Sequence, residues 1–193
     1  MRVLLIHAHP VEESFSAALK DEALRVLVAA GHSVEVCDLY ANGFDPVLSR
    51  EERLSYHDLD RNREPVADYV AQVLRAEAII LVYPVWNFGF PAILKGYFDR
   101  VFLPGVSFRM REGKVVPNLQ HVRRLVAITT YGGSRLRAFL VGDPPRKLVC
   151  RVLRALIAPT GRLSYLALYD MNRIDAAGRS AFVARVTAQL ERL

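Results

Sequence analysis

Five short apolar runs recur along this chain, at residues 2–6, 33–39, 78–83, 125–130 and 163–169. Segments whose apolar residues fall at helical spacing separate and follow them, at 14–30, 66–75, 92–102, 147–157 and 176–193. In the first of these, Phe15, Ala18, Leu19, Ala23, Val26 and Leu27 fall on one helical stripe. Strict alternation of strand and helix predicts a parallel sheet with helices on both faces. The apolar runs are nearly continuous, as expected of strands buried on both sides. Five such strands fit a doubly wound α/β sheet in the order 2-1-3-4-5, whose ligand crevice opens where strands 1 and 3 diverge. A turn-rich loop at 38–46, a charged stretch at 49–64 and an irregular stretch at 102–119 with room for a small hairpin fill the rest. No linker or repeat interrupts residues 1–193, so one domain is expected.

Composition removes several classes. With 52% hydrophobic and 24% charged residues, the chain can build a core and is not disordered. The apolar N-terminal run is too short for a signal peptide, and no run reaches the length of a membrane span. A soluble, cytoplasmic protein without membrane insertion is expected. The two cysteines, Cys37 and Cys150, lie far apart without metal-ligand spacing and read as buried small apolar residues. The whole net charge of +6 sits in residues 135–162, where seven Arg and Lys face the single acid Asp143. Such a patch attracts phosphates or acidic surfaces, or is a solvated helix face. Almost no aromatics interleave it, so nucleic acid is not the expected partner.

The chemistry collects on the loops that leave strands 1, 3 and 4 at one edge. The first, His7 to Ser16, runs into a helix start, where free N–H groups, the Ser14 and Ser16 hydroxyls and the helix dipole suit a phosphate. Helix capping explains those serines equally well. The fingerprints G-x-G-x-x-G and G-x-x-x-x-G-K-[ST] are both absent, which argues against a dinucleotide Rossmann site and a P-loop. The second loop follows strand 3: Tyr83-Pro84-Val85-Trp86-Asn87-Phe88-Gly89-Phe90-Pro91. Its prolines and glycine are expected to hold the aromatics on a rigid turn, where they suit a flat, stacked ligand. The third, Thr129-Thr130-Tyr131-Gly132-Gly133-Ser134, lets backbone N–H groups approach a ligand closely. A phosphate over the first loop and an aromatic ring between the others describe a flavin nucleotide. His7 and His9 have no third ligand near them for a metal, and no serine sits in a G-x-S-x-G elbow.

On these residues the chain resembles the NAD(P)H quinone oxidoreductases, flavoenzymes of the flavodoxin-like fold. The matching stretches are AHPVEESFSAALK at 8–20, DLYANGFDPVLSREE at 38–52, YPVWNFGFPAILKGYFDRVF at 83–102 and TTYGGS at 129–134. The resemblance implies a homodimer, a flavin at each subunit interface and a two-electron ping-pong cycle from NAD(P)H to a quinone-like acceptor. Carried over residue by residue, it implies that His9, Ser14, Phe15 and Ser16 hold the flavin phosphates. Pro84, Val85, Trp86, Asn87, Phe88 and Gly89 fall where the isoalloxazine is held, and Thr130, Tyr131, Gly132 and Gly133 on the second flavin loop. Mammalian members place a Tyr and a His after the glycines; residues 135–147 hold neither, leaving Tyr131 as the nearby hydroxyl for proton handling. The C-terminal segment that helps hold an FAD adenine is short here, so FMN stands beside FAD. Trp86, Phe88 and Tyr131 are the expected walls of the stacking slot, and Trp86, Phe88, Phe90, Tyr97 and Phe98 the expected dimer surface. Two competing readings share these features: an ancillary subunit docking on another protein such as a transporter, and an azo- or nitroreductase.

Overall fold

The computed structural model describes all 193 residues. Strands β1 (Arg2–His7), β2 (Ser33–Asp38) and β3 (Ala78–Val85) are followed by a β4–β5 hairpin (Phe108–Arg111, Lys114–Pro117), then β6 (Arg124–Tyr131) and β7 (Arg162–Leu168). The five-stranded sheet has the order β2-β1-β3-β6-β7, with every neighbouring pair parallel. With the hairpin strands set aside, this is the expected 2-1-3-4-5 arrangement.

Helices α1 (Phe15–Ala29), α2 (Arg50–Leu54), α3 (Ala67–Arg75), α4 (Ala92–Val101), α5 (Arg135–Leu140), α6 (Pro144–Lys147), α7 (Arg154–Leu156) and α8 (Ala176–Leu190) connect and cover the strands. Alternate strand residues feed two cores. Val3, Leu5 and Ile80 pack with Leu19, Leu27, Phe182 and Val186 of α1 and α8. Leu4, Ile79 and Leu81 pack on the other face with Val70, Val73, Leu94 and Val149. Burial on both faces is what made the strands read as unbroken apolar runs, and truncating Ile80 or Leu81 to Ala would cost about 2–5 kcal/mol.

Three boundaries differ from the sequence reading, each near the crevice. β3 runs two residues further than expected, through Pro84 and Val85. Val82 O accepts from Ala8 N–H at 3.1 Å, so that edge of β3 faces β1. Pro84 faces the same way two residues on, where β1 has ended, and its missing N–H costs no ladder bond. β6 likewise takes in Tyr131, which pairs in register with Val85 rather than opening a loop. The single helix expected over 147–157 is three pieces: the end of α6, a π-wound turn (Leu148–Leu153) and α7.

The segment after β2 is fastened from below the crevice. A Cβ on Gly96 of α4 would overlap Pro46, so only glycine lets this loop lie against α4. The largely buried Arg100 and Glu52 side chains pair at 2.6 Å, tying α2 to α4.

Candidate active site

Strands β1, β3 and β6 are neighbours, so the loops that leave their carboxyl ends lie side by side. The first loop enters α1 through Ser14, whose hydroxyl oxygen accepts from Ala17 N–H at 3.1 Å. The capping reading of Ser14 is therefore correct, and it leaves the hydroxyl proton free to donate. The N–H groups of Phe15 and Ser16 lie in the first turn and have no intrahelical acceptor. The Phe15 ring itself packs inward, 6.5 Å from Phe182.

Ser16 behaves differently from Ser14. It is buried, and its Oγ lies 3.4 Å from His7 Nε2. His7 Nδ1 in turn lies 2.8 Å from Asp38 Oδ2. Burial holds the His7 pKa below its ordinary value, although Asp38 pulls the other way, so the ring is neutral at pH 7. A neutral ring donating from Nδ1 to Asp38 accepts the Ser16 proton at Nε2. Serine, histidine and aspartate thus form a chain like that of a hydrolase, but Ser16 is only 5% exposed and offers no open nucleophile. What Ser16 contributes outward is its backbone N–H.

The second loop is a tight two-residue turn. Trp86 and Gly89 exchange backbone bonds, with Gly89 N–H donating to Trp86 O at 2.9 Å and Trp86 N–H to Gly89 O at 3.2 Å. Asn87 and Phe88 between them have φ of 49° and 55°, a left-handed pair. The expectation assigned the turn to its prolines and Gly89, but the residues in left-handed conformation are Asn87 and Phe88. A bulky aromatic held there costs about 1–3 kcal/mol, and such strain clusters at ligand sites. The turn holds Trp86 40% exposed, with its ring centroid 5.8 Å from that of His9. First and second loops therefore meet.

The third loop follows β6. A Cβ on Gly132 would come within 3.3 Å of Asn172 Nδ2, so the loop lies close against the turn after β7. Asp170 N–H donates to Gly133 O at 3.0 Å and Met171 N–H to Tyr131 O at 2.9 Å. Tyr131 is not an open wall of the crevice: its ring is 1% exposed. Its hydroxyl donates to Asp143 Oδ1 at 2.7 Å and lies 2.6 Å from Tyr165 Oη. Burial raises the Tyr131 pKa, and Tyr165 and Asp143 raise it further, so the phenol stays protonated. Thr130 is buried too. Beneath them the hydroxyls of Tyr83 and Thr129, paired in register on β3 and β6, are buried without a hydrogen-bond partner.

A family model described as the flavodoxin-like fold matches residues 1–185. The chain belongs to that family. It is 36% identical over 188 residues to an uncharacterized NAD(P)H oxidoreductase of Haemophilus influenzae, covering 95% of this chain and 91% of that protein. It is 34% identical to NAD(P)H dehydrogenase [quinone] 1 of Cavia porcellus, over 73% of this chain but only 57% of the guinea-pig protein. Among solved structures, an NAD(P)H:quinone oxidoreductase from Methanothermobacter marburgensis superposes with a TM-score of 0.86 at 27% identity, covering 99% of this chain and 98% of that one.

Within this flavodoxin-like chain, several residues beside the loops escaped the sequence reading. Asp143 stands in left-handed conformation at φ 45° and anchors Tyr131. The run Gly142-Asp143-Pro144-Pro145 signals a turn into a helix, and that signal was available. Tyr165 and Tyr169 come from β7 and its exit, with the Tyr169 ring 4.6 Å from that of Tyr131; nothing local marks them. Cys150 is half-buried rather than buried, whereas Cys37 is fully buried with its thiol pushed up to about 12 by desolvation. Tyr97 belongs to the core, not to a dimer surface. No helix is long and apolar enough to cross a membrane.

Proposed function

We propose that this chain is a flavin-dependent NAD(P)H:quinone oxidoreductase, with FAD as its flavin and FMN as the alternative. The observation that carries this reading is the convergence of three adjacent loops. They bring unbonded N–H groups at the start of α1, a strained turn presenting Trp86, and the Gly132-Gly133 backbone to one edge. That donor set suits a phosphate joined to a flat ring. The relatives' names supply the dehydrogenase class and the quinone acceptor.

A bound flavin supplies the two-electron chemistry. The chain supplies the rest. Phe15 and Ser16 N–H groups and the Ser14 hydroxyl hold the phosphate at the positive end of the α1 dipole. His9 Nδ1 lies 3.1 Å from Val11 N and 3.2 Å from Val11 O, which orients the ring and leaves Nε2 to face the phosphate. Pro84, Val85, Trp86, Asn87, Phe88 and Gly89 bound one side of the ring site. Thr130, Gly132 and Gly133 bound the other, held from behind by Tyr131. Tyr131 is a positioning residue in this reading: its buried phenol fixes Asp143 and Tyr165 and does not meet the substrate. Flat substrates stack in the slot one after the other, which orients donor and acceptor against one face.

A second copy of the chain completes the site. The support is an apolar groove of about 600 Å³ lined by Leu48, Tyr56, Phe98, Phe102, Val152 and Leu156 among others. The groove takes in Phe98 of the expected dimer surface and adds residues of the 46–56 and 152–156 segments.

The test is the spectrum of the purified protein, the mass of the flavin released from it, and NAD(P)H oxidation with a soluble quinone. Yellow protein that turns over alone is the expected result. Protein that stays colourless after soaking in both FMN and FAD overturns the reading. Bound flavin without turnover favours the ancillary-subunit reading, and a preference for azo or nitro compounds over quinones moves the acceptor class.

A further inference from the structure

The region 135–151 carries five cations, Arg135, Arg137, Arg146, Lys147 and Arg151, against the single acid Asp143. Asp143 starts α6 in left-handed conformation, and its carboxylate is anchored by the Tyr131 hydroxyl at 2.7 Å. The same turn is held by bonds from Gly142 N–H to Phe139 O and from Asp143 N–H to Ala138 O, so α6 and the π-wound turn start beside α5. A cavity of about 370 Å³ opens between them, lined by Arg135, Arg146, Lys147 and Arg151, with Phe139 and Tyr169 as aromatic walls. Arg146 and Lys147 reach the cavity from the end of α6 and Arg151 from the π-wound turn that follows it.

The four cations have no carboxylate at ion-pair distance. Elsewhere Arg25, Arg75 and Arg100 are each matched to a glutamate. Asp143 is the one acid facing the cavity, and it is engaged by Tyr131. Arg146 is also steadied by the Tyr165 ring, 5.3 Å from its guanidinium carbon. All four are solvent-exposed around the cavity, where their shared positive field attracts an anion. Guanidinium forks match phosphate oxygens bidentately, and the aromatic walls suit a purine.

The cavity shares its Tyr131–Asp143 anchor with the Gly132-Gly133 loop, so it adjoins the crevice. We propose that this cavity binds the 2′-phosphate and adenosine of the electron donor, so that the enzyme is specific for NADPH over NADH. The inference rests on the reading of the chain as an NAD(P)H-oxidising flavoenzyme. Arg135 is one of the two arginines that the charge pattern suggested. Arg137 is not in the cavity; its side chain lies against Gly133.

The experiment compares wild type with Lys147→Gln/Arg151→Gln, two exposed positions outside the flavin loops. Calorimetry on the flavin-loaded protein measures 2′,5′-ADP, 5′-AMP and inorganic phosphate, and steady-state kinetics give kcat/KM for NADPH and NADH. Wild type is expected to bind 2′,5′-ADP roughly tenfold or more tighter than 5′-AMP, the scale of one charge-assisted hydrogen bond. It is expected to prefer NADPH by a similar factor. The variant is expected to lose both preferences while its flavin content stays unchanged. Equal affinity for the two nucleotides in wild type, or a preference that survives in the variant, overturns the proposal. Inorganic phosphate binding as tightly as 2′,5′-ADP also overturns it, by making the cavity a plain anion site. Calorimetry needs no turnover: a protein that selects 2′,5′-ADP but binds no flavin breaks the flavoenzyme reading and not this one.

Discussion

The two ends of the crevice are built on opposite terms. At the β1–α1 end nearly every polar group has a partner: Ser14 caps its helix, His7 links Asp38 to Ser16, and the cationic side chains of α1 are matched to acids. Beyond Gly133 the pattern reverses. Four cations share a cavity without a counter-charge, and α5 turns Leu136, Phe139 and Leu140 to solvent at 67%, 75% and 73% exposure. The first end resembles a general phosphate cradle whose donors are backbone atoms that any sequence provides. The second end is made of side chains, and side chains are where a choice among ligands or partners can be written. A shared fold and an individual specificity can thus occupy adjacent loops without interfering.

The largest expected effect tests the first end. Ser14→Ala removes a donor to the flavin phosphate and should weaken flavin binding by about 1.5–3 kcal/mol, with a further ~1 kcal/mol of stability lost from the cap. Ser16→Ala, whose hydroxyl points to His7, should lose markedly less flavin affinity. Titration of apo protein with flavin measures both; equal losses would mean that Ser16 also turns outward.

Next in size is the joint between the ends. Tyr131→Phe strips the donor from Asp143 and a partner from Tyr165, and should cost about 1–3 kcal/mol in urea unfolding. Flavin affinity should fall less than in Ser14→Ala, because the Gly132-Gly133 backbone keeps its bonds from Asp170 and Met171. A fully stable variant would show that the two ends are not coupled through this phenol.

Acid should act on the first end before the second. Because burial depresses the His7 pKa, the unfolded chain takes up a proton near pH 6.5 that the folded chain refuses. Stability is therefore full above that pH and falls as pH drops through 6.5 toward the folded value. Asp38 is also lowered: burial raises its pKa, but His7, Ala41 N–H and Lys20 together reverse this, so its own contribution is lost only below 3.8. Denaturation midpoints between pH 7.5 and 5 should show the His7 slope, and His7→Gln should flatten it.

The smallest expected effect lies on α5. Exposed side chains add little to a monomer's stability, so Leu136→Ser/Leu140→Ser should change it by no more than about 0.5 kcal/mol per site. A change in sedimentation without a change in stability would identify this face as an interface; a large loss of stability would show that the face is covered within the folded chain.

Much of this was legible in the sequence. The strands announce themselves through apolar runs, and the three loops through their position after strands 1, 3 and 4. Pro84 misled the reading because proline marks breaks; here it sits in β3 at a point where β1 has already stopped. Tyr131 looked like a loop residue because two glycines follow it, yet it is the last, buried residue of β6. The cavity was not readable at all. Its lining is brought together by one bond, Tyr131 to Asp143, between residues with no shared periodicity, and by Tyr169 from beyond β7. Charge counting located the patch, but only the backbone path decides which cations face inward.

The π-wound turn at Leu148–Leu153 has a consequence for how such chains diverge. A turn that already carries one surplus residue can shed it by reverting to ordinary α winding, leaving the strands on either side where they are. Each residue in an α-helix accounts for about 100° of rotation, so a single-codon deletion here would swing Arg146 and Lys147 relative to Arg151. A chain carrying this turn can change what the cavity presents by altering its length at one point, with no substitution in the lining residues themselves.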